Sequence, residues 1–238
     1  MATVFERDDQ LRALEAVQDN PVALLRAAQA QFGDRLAVLS SFGAESALLL
    51  ALVAEAEPSM RVLFLNTGRH FHETLTYRRD LAAFLGLKNV VDLDPDPERV
   101  AQNDPTGELW AFDPDACCAL RKVEPLRLAS LAYDVMVTGR KRAQASTRSQ
   151  MDVVERRDDG QIRINPLAYW SAEQIQDEMA RRGLPPHPLV REGYLSIGCA
   201  PCTTPVGGGE DARGGRWAGL NKTECGIHVS QSSGGQNT

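Results

Sequence analysis

The chain has 238 residues, 43% of them hydrophobic, and a formal net charge of -6. That size and composition suit one α/β domain with an appended tail, and exclude a fibre or a low-complexity segment. The acidic balance argues against a general nucleic-acid binder, which needs a basic face, and no apolar run is long enough to span a bilayer.

Residues 11–31 carry an amphipathic helical pattern, and Leu36-Ala37-Val38-Leu39-Ser40 is an apolar run of the kind that forms a buried strand. A glycine-containing turn leads to a helix over 44–55, a strand over 61–65 ending at Asn66-Thr67-Gly68, and a helix over 71–85. A third strand is expected over 89–93, a helix carrying Cys117 and Cys118 over 115–131, and a fourth strand over 133–138 ending at Gly139. The alternation predicts a mostly parallel sheet with helices on both faces and a ligand at the carboxyl ends of the strands. A basic loop runs on to Ser149, 153–155 and 162–164 read as a hairpin around an Asp-Asp-Gly turn, and 172–182 as a helix. The body is expected to end at 202, with a mobile arm over 203–228 and a disordered polar tail over 229–238. Residues 1–9 lack the basic-then-apolar order of a leader, so the expected compartment is the cytoplasm, where cysteine pairs more often bind metal or do chemistry than form disulfides.

Ser40-Ser41-Phe42-Gly43-Ala44-Glu45-Ser46 lies between the first strand and its helix. There the hydroxyls of Ser40, Ser41 and Ser46 and the amides around Gly43 can cradle a phosphate, although a serine-capped turn is the other reading. Arg121, Lys122, Arg140, Lys141, Arg142, Arg148, Arg213, Arg216 and Lys222 fall near the cysteine and glycine motifs while acids gather elsewhere, as over 92–98. This points to a small anionic ligand, with a solvated charged face as the alternative.

The five cysteines divide into the adjacent Cys117 and Cys118, the C-x-x-C of Cys199 and Cys202, and a lone Cys225. Four thiolates suit a tetrahedral zinc or a cubane iron–sulfur cluster. Adjacent ligands fit neighbouring irons better than one zinc, and the fifth sulfur is left free as a nucleophile. Lys122, four residues after Cys118, shares its helix face, where an ammonium could sit between a cluster and an anionic substrate. His228, three residues past Cys225, either tunes that thiol or is solvated.

Five segments together resemble the assimilatory adenylyl-sulfate reductases: Cys-Cys-x-x-Arg-Lys-Val-Glu-Pro-Leu (117–126), Thr-Gly-Arg-Lys-Arg-x-Gln-x-Ser-Thr-Arg (138–148), Gly-Tyr-x-Ser-Ile-Gly-Cys-x-Pro-Cys-Thr (193–203), Gly-Glu-Asp-x-Arg-x-Gly-Arg-Trp (209–217) and Lys-Thr-Glu-Cys-Gly-Ile-His (222–228). The 40–46 loop is similar to the pyrophosphatase loop of adenine nucleotide α-hydrolase-like enzymes, usually Ser-Gly-Gly-x-Asp-Ser, without one glycine and the aspartate. The resemblance therefore implies a Rossmann-like adenine nucleotide α-hydrolase-like body that no longer cleaves ATP to pyrophosphate.

It also implies reduction of adenosine 5'-phosphosulfate to sulfite and AMP, with electrons from thioredoxin as a separate protein. Enzymes of the 3'-phosphorylated nucleotide typically lack the two cysteine pairs, so Cys117, Cys118, Cys199 and Cys202 imply a 4Fe-4S cluster and the unphosphorylated substrate. Cys225 is implied as the nucleophile that forms a Cys S-sulfonate, with His228 beside it. Thr67, Gly68, Arg69 and Gly139 are implied as parts of the nucleotide pocket, and Lys122, Arg142, Arg148, Arg213 and Arg216 as phosphosulfate contacts. Asn66 and His72 depart from the aspartate and proline common there. The rival readings are a reductase of the 3'-phosphorylated nucleotide or of both, a tRNA-thiolating enzyme, and a non-catalytic iron–sulfur nucleotide sensor. A homo-oligomer is left open.

Overall fold

The computed structural model describes residues 4–144, 148–209, 211–220 and 222–227; His228 and the expected tail over 229–238 lie outside them. Six strands, β1 (Leu36–Leu39), β2 (Arg61–Leu65), β3 (Val90–Leu93), β4 (Val135–Thr138), β5 (Val154–Arg156) and β6 (Ile162–Ile164), form one sheet in the order β3-β2-β1-β4-β6-β5. Every pairing is parallel except β5 with β6. The expected α/β class and hairpin are both present, the hairpin placing β6 beside β4 and β5 at the edge. All residues of β1 and β4 are buried, as in a parallel sheet covered on both faces.

The chain leaves β1 toward β2 and β3 on one side and returns to β4 on the other, so the strand order reverses between β1 and β4. Ligands of open α/β sheets sit in the crevice beyond the carboxyl ends of the strands at such a reversal. Ser40 and Ser41 follow β1 into this crevice, and Gly139 follows β4.

The helix expected over 11–31 is two helices, α1 (Val4–Glu15) and α2 (Pro21–Phe32). Asn20 accepts the amides of Val22 and Ala23 at 3.1 and 3.0 Å, and Pro21 supplies the fixed φ of a first helical residue, so a new helix starts there. In α3 (Ser46–Ala56) every residue from Ala47 to Val53 is buried, which makes it the central helix of one face. Then come α4 (His72–Leu85) and two short helices that the sequence reading missed, α5 (Pro97–Asn103), capped by Asp96, and α6 (Leu109–Phe112).

The helix expected over 115–131 is also divided, into α7 (Pro114–Cys118), a π turn (Ala119–Val123) and α8 (Glu124–Ser130). Pro125 has no N–H to give the Arg121 carbonyl, and the Glu124 amide reaches back five residues to the Ala119 carbonyl. The last helix, α9 (Ala172–Arg181), opens with a capping box between Ser171 and Gln174.

The larger core cluster joins α2, α3 and α9 to the sheet through Leu24, Leu48, Val38 and Ile175. A smaller one on the opposite face gathers Ala37, Leu39, Leu63, Leu65 and Met136 under Leu126 of α8, and Ile227 from the C-terminal arm packs on it.

Candidate active site

The loop after β1 is shaped by Phe42, whose φ of 48° lies in the left-handed region usually left to glycine. Its ring is fully buried, edge-on to Phe64 with centroids 5.7 Å apart. Phe42 stands where the related loop has its missing glycine, so it keeps a glycine-type backbone and pins it to the core. Ser40 Oγ accepts the Phe42 amide at 3.2 Å and Ser46 Oγ accepts the Gly43 amide at 2.9 Å. A Cβ on Gly43 would lie 3.3 Å from the Ile197 carbonyl oxygen, so this close approach suits glycine. Glu45, in place of the missing aspartate, pairs with Lys141 at 2.7 Å.

This loop, the turn after β4, residues 195–198 and the arm enclose a cavity of about 320 Å³. Ser40, Ser41, Gly43, Ser46 and Gly139 line its backbone-rich side. Lys122, Arg148, Arg213 and Arg216 bring cations to it, and Cys225 brings a sulfur.

Cys117 and Cys118 end α7, while Cys199 and Cys202 flank a 3-10 turn on the loop that follows α9, with Thr67 Oγ1 3.3 Å from Cys199 Sγ. Cys117, Cys118 and Cys199 are buried and Cys202 is half-buried. Burial, then the neighbouring Cys199, pushes the Cys117 and Cys202 thiols up; burial carries Cys118 to about 11 against the pull of Lys122 and Lys222. Among the described residues no group of three His, Cys, Asp or Glu side chains is placed to share a single metal ion. Burial works against the charge of Lys122, but the sulfurs of Cys199, Cys225 and Cys118 outweigh it and hold the ammonium above its ordinary range. The π turn thus sets a cation among the thiol pairs and the lone sulfur.

The arm folds back over the cavity. Thr203 bridges Arg216, the Trp217 amide donates to the Cys202 carbonyl at 3.0 Å, and Lys222 pairs with Asp115. Arg148 donates to Glu224 Oε1 through Nη2 at 2.7 Å and Nε at 3.1 Å, and Arg213 reaches Glu224 Oε2 at 3.3 Å. Arg216 lies over the Trp217 ring, 4.5 Å from its centroid.

Four residues implied as substrate contacts lie elsewhere. Arg142 donates to the Met151 carbonyl at 2.6 Å and to Asp152 at 2.9 Å, and covers the Tyr169 ring. Arg69 packs on Gly107, 3.9 Å from Asp104. Gly68, at φ 69°, turns the chain after β2, and the Thr67 carbonyl accepts Arg121 Nη1 at 2.9 Å. Arg121 also grips buried Asp104 at 2.7 Å, which ties the cysteine-bearing helix to the β2 turn. Among the cavity residues the sequence reading gave no role to Glu224 and His70, and it took Lys141 only as one of the bases near the motifs. Lys141 lay in a quoted motif, and Glu224 stood beside the singled-out cysteine. His70 adjoined Arg69 but had no spacing signal.

A model of the phosphoadenosine phosphosulfate reductase domain matches residues 35–205. A Mesorhizobium japonicum protein named adenosine 5'-phosphosulfate reductase is 52% identical over 205 residues, covering 86% of this chain and 80% of its own. A Gloeobacter violaceus protein named phosphoadenosine 5'-phosphosulfate reductase is 45% identical over 216 residues, covering 88% of each. The crystal structure of a phosphoadenylyl-sulfate reductase from Candida auris in a phosphate complex superposes with a TM-score of 0.67 at 26% identity, covering 86% of this chain and 98% of that one. Sequence and fold agree, and the chain belongs to the phosphoadenosine phosphosulfate reductase domain family.

Proposed function

We propose that this protein reduces adenosine 5'-phosphosulfate to sulfite and AMP, with a thioredoxin dithiol as reductant. The observation that carries the reading is the meeting of one thiol outside the two cysteine pairs, Cys225, with Lys122, Arg148, Arg213 and Arg216 in a cavity backed by the 40–46 loop. The relatives named for this activity support it.

The nucleotide phosphate rests against the loop amides and hydroxyls, and the sulfonate oxygens face the cations. Cys225 attacks as thiolate at the sulfur, an S–S bond forms, and the S–O bond breaks with its electron pair leaving on AMP. A thioredoxin thiolate then attacks the Cys225 sulfur and expels sulfite, and the second thioredoxin thiol closes the disulfide and frees Cys225. No hydride is needed. The protein supplies position, and offsets the charge that gathers on the sulfonate oxygens.

Cys117, Cys118, Cys199 and Cys202 fit a 4Fe-4S cluster. They form two buried or half-buried sulfur pairs in which burial raises the thiols of Cys117, Cys118 and Cys202, a penalty that coordination to a cationic iron core would offset. Adjacent Cys117 and Cys118 suit different irons better than one tetrahedral zinc. Such a cluster would supply a fixed charge beside Lys122. The reading places the enzyme in the cytoplasm, where these thiols stay reduced, and no helix among the described residues is long and apolar enough to cross a membrane.

The second reading, the 3'-phosphorylated substrate, is favoured by the name of the Gloeobacter violaceus relative. Sulfite release from each nucleotide with reduced thioredoxin decides between them. Turnover of adenosine 5'-phosphosulfate alone is expected, equal turnover of both removes the selectivity, and release from neither removes the reductase reading.

A further inference from the structure

Glu224 precedes the lone thiol and lines the same cavity. Its carboxylate is held by two cations from different parts of the chain, Arg148 of the body at 2.7 Å and Arg213 of the arm at 3.3 Å. The side chains are 9% exposed for Arg148, 21% for Glu224 and 20% for Arg213, so solvent and salt screen this triad less than a surface pair. Arg213 also donates to the Thr223 carbonyl at 2.7 Å. On the far side of Cys225, Gly226 turns through φ 86° and Ile227 packs on the core. Cys225 is therefore slung between a polar anchor and an apolar one. The polar anchor is a carboxylate, and guanidinium groups accept a carboxylate, a sulfonate and a phosphate with the same paired oxygens.

We infer that Glu224 is a positioning residue that acts as a built-in anion. In the free enzyme it clasps Arg148 and Arg213 and so holds Cys225 over the cavity, and an entering oxyanion exchanges with it on those two guanidinium groups. The inference rests on the cavity being the phosphosulfate site. Lys122 and Arg216, paired to no carboxylate among the described residues, greet the anion first, and the exchange follows.

The test compares wild type with Glu224→Gln, which keeps the shape and removes the charge. Without nucleotide, amide exchange over 222–227 should quicken about tenfold as the clasp weakens. Inorganic sulfate should bind about fivefold more tightly, because the internal competitor is gone. With adenosine 5'-phosphosulfate, kcat and KM should fall together, whereas a purely structural lesion raises KM. Wild-type exchange rates and wild-type sulfate affinity in the variant would overturn the inference. If Glu224→Gln fails to fold, Glu224→Asp, charged but shorter, should give intermediate changes in both readouts, and unchanged values there overturn it equally. Exchange and sulfate binding need no turnover, so an inactive wild type with a working clasp refutes the reductase reading alone.

Discussion

The guanidinium of Arg216 fills the space that a side chain on Gly198 would need, its Cζ 2.5 Å from where a Cβ would stand. An arm residue is thereby seated on the backbone just before Cys199. Gly198→Ala should drive Arg216 out of the cavity while sparing the core. Sulfite formation is expected to fall at least about tenfold in kcat/KM, the loss typical of one displaced anion-stabilising cation, with little change in melting temperature. Wild-type kinetics in this variant would remove Arg216 from the site.

Cys225→Ser should still bind nucleotide but form no sulfite, since an alcohol at neutral pH is a poor nucleophile toward this sulfur. Intact-protein mass spectrometry after mixing with adenosine 5'-phosphosulfate, reductant withheld, should show a sulfonate adduct on wild type and none on the variant. An adduct on both would place the nucleophile elsewhere.

Lys122 keeps its charge because the sulfurs of Cys199, Cys225 and Cys118 outweigh its burial. Lys122→Ala should slow single-turnover adduct formation by roughly a hundredfold, in line with removal of one preorganised charge at a reacting centre. Thermal unfolding should shift far less than that rate. A large loss of stability with an unchanged rate would make the residue structural.

His187 is fully buried; its Nδ1 accepts the Leu189 amide at 3.2 Å, so its Nε2 donates to Thr74 Oγ1 at 3.0 Å. Burial lowers its pKa from 6.5 to about 4, with Glu73 opposing. Between those values the unfolded chain takes up a proton that the folded chain refuses. Stability is therefore complete above the unfolded value and falls as pH drops toward the folded one, by about 3 kcal/mol in full for this ring. Urea unfolding at about pH 7.5 and about pH 5 should show about 2 kcal/mol of this loss, and His187→Gln should remove that share, leaving the part due to His70, which burial likewise lowers to about 4. An equally steep profile in the variant would assign the acid sensitivity to other groups.

The strand–helix alternation was legible because β1, β2 and β4 are short apolar runs closed by a turn, and burial on both faces demands that pattern. Asn20-Pro21 and Pro125 were also legible as local chemistry; the periodic apolar pattern around them masked the breaks. The sheet order was not, since β1 meets β4 through residues a hundred positions apart, as in Leu36 beside Val135. The cations behave likewise. Arg142 and Arg148 belong to one basic loop, yet the Met151 carbonyl and Asp152 draw the first away while the second reaches the arm. Only the folded neighbourhood separates them.

The ring of Phe42 settles the shape of the 40–46 loop. A left-handed backbone costs a bulky residue about 1–2 kcal/mol, and burying a phenyl ring returns roughly 2–3 kcal/mol, so the conformation is favoured before any ligand arrives. A glycine there would let the amides wander between bound and unbound shapes. With the phenylalanine, the loop shape is set in advance, and a phosphate bound there would forfeit little chain entropy.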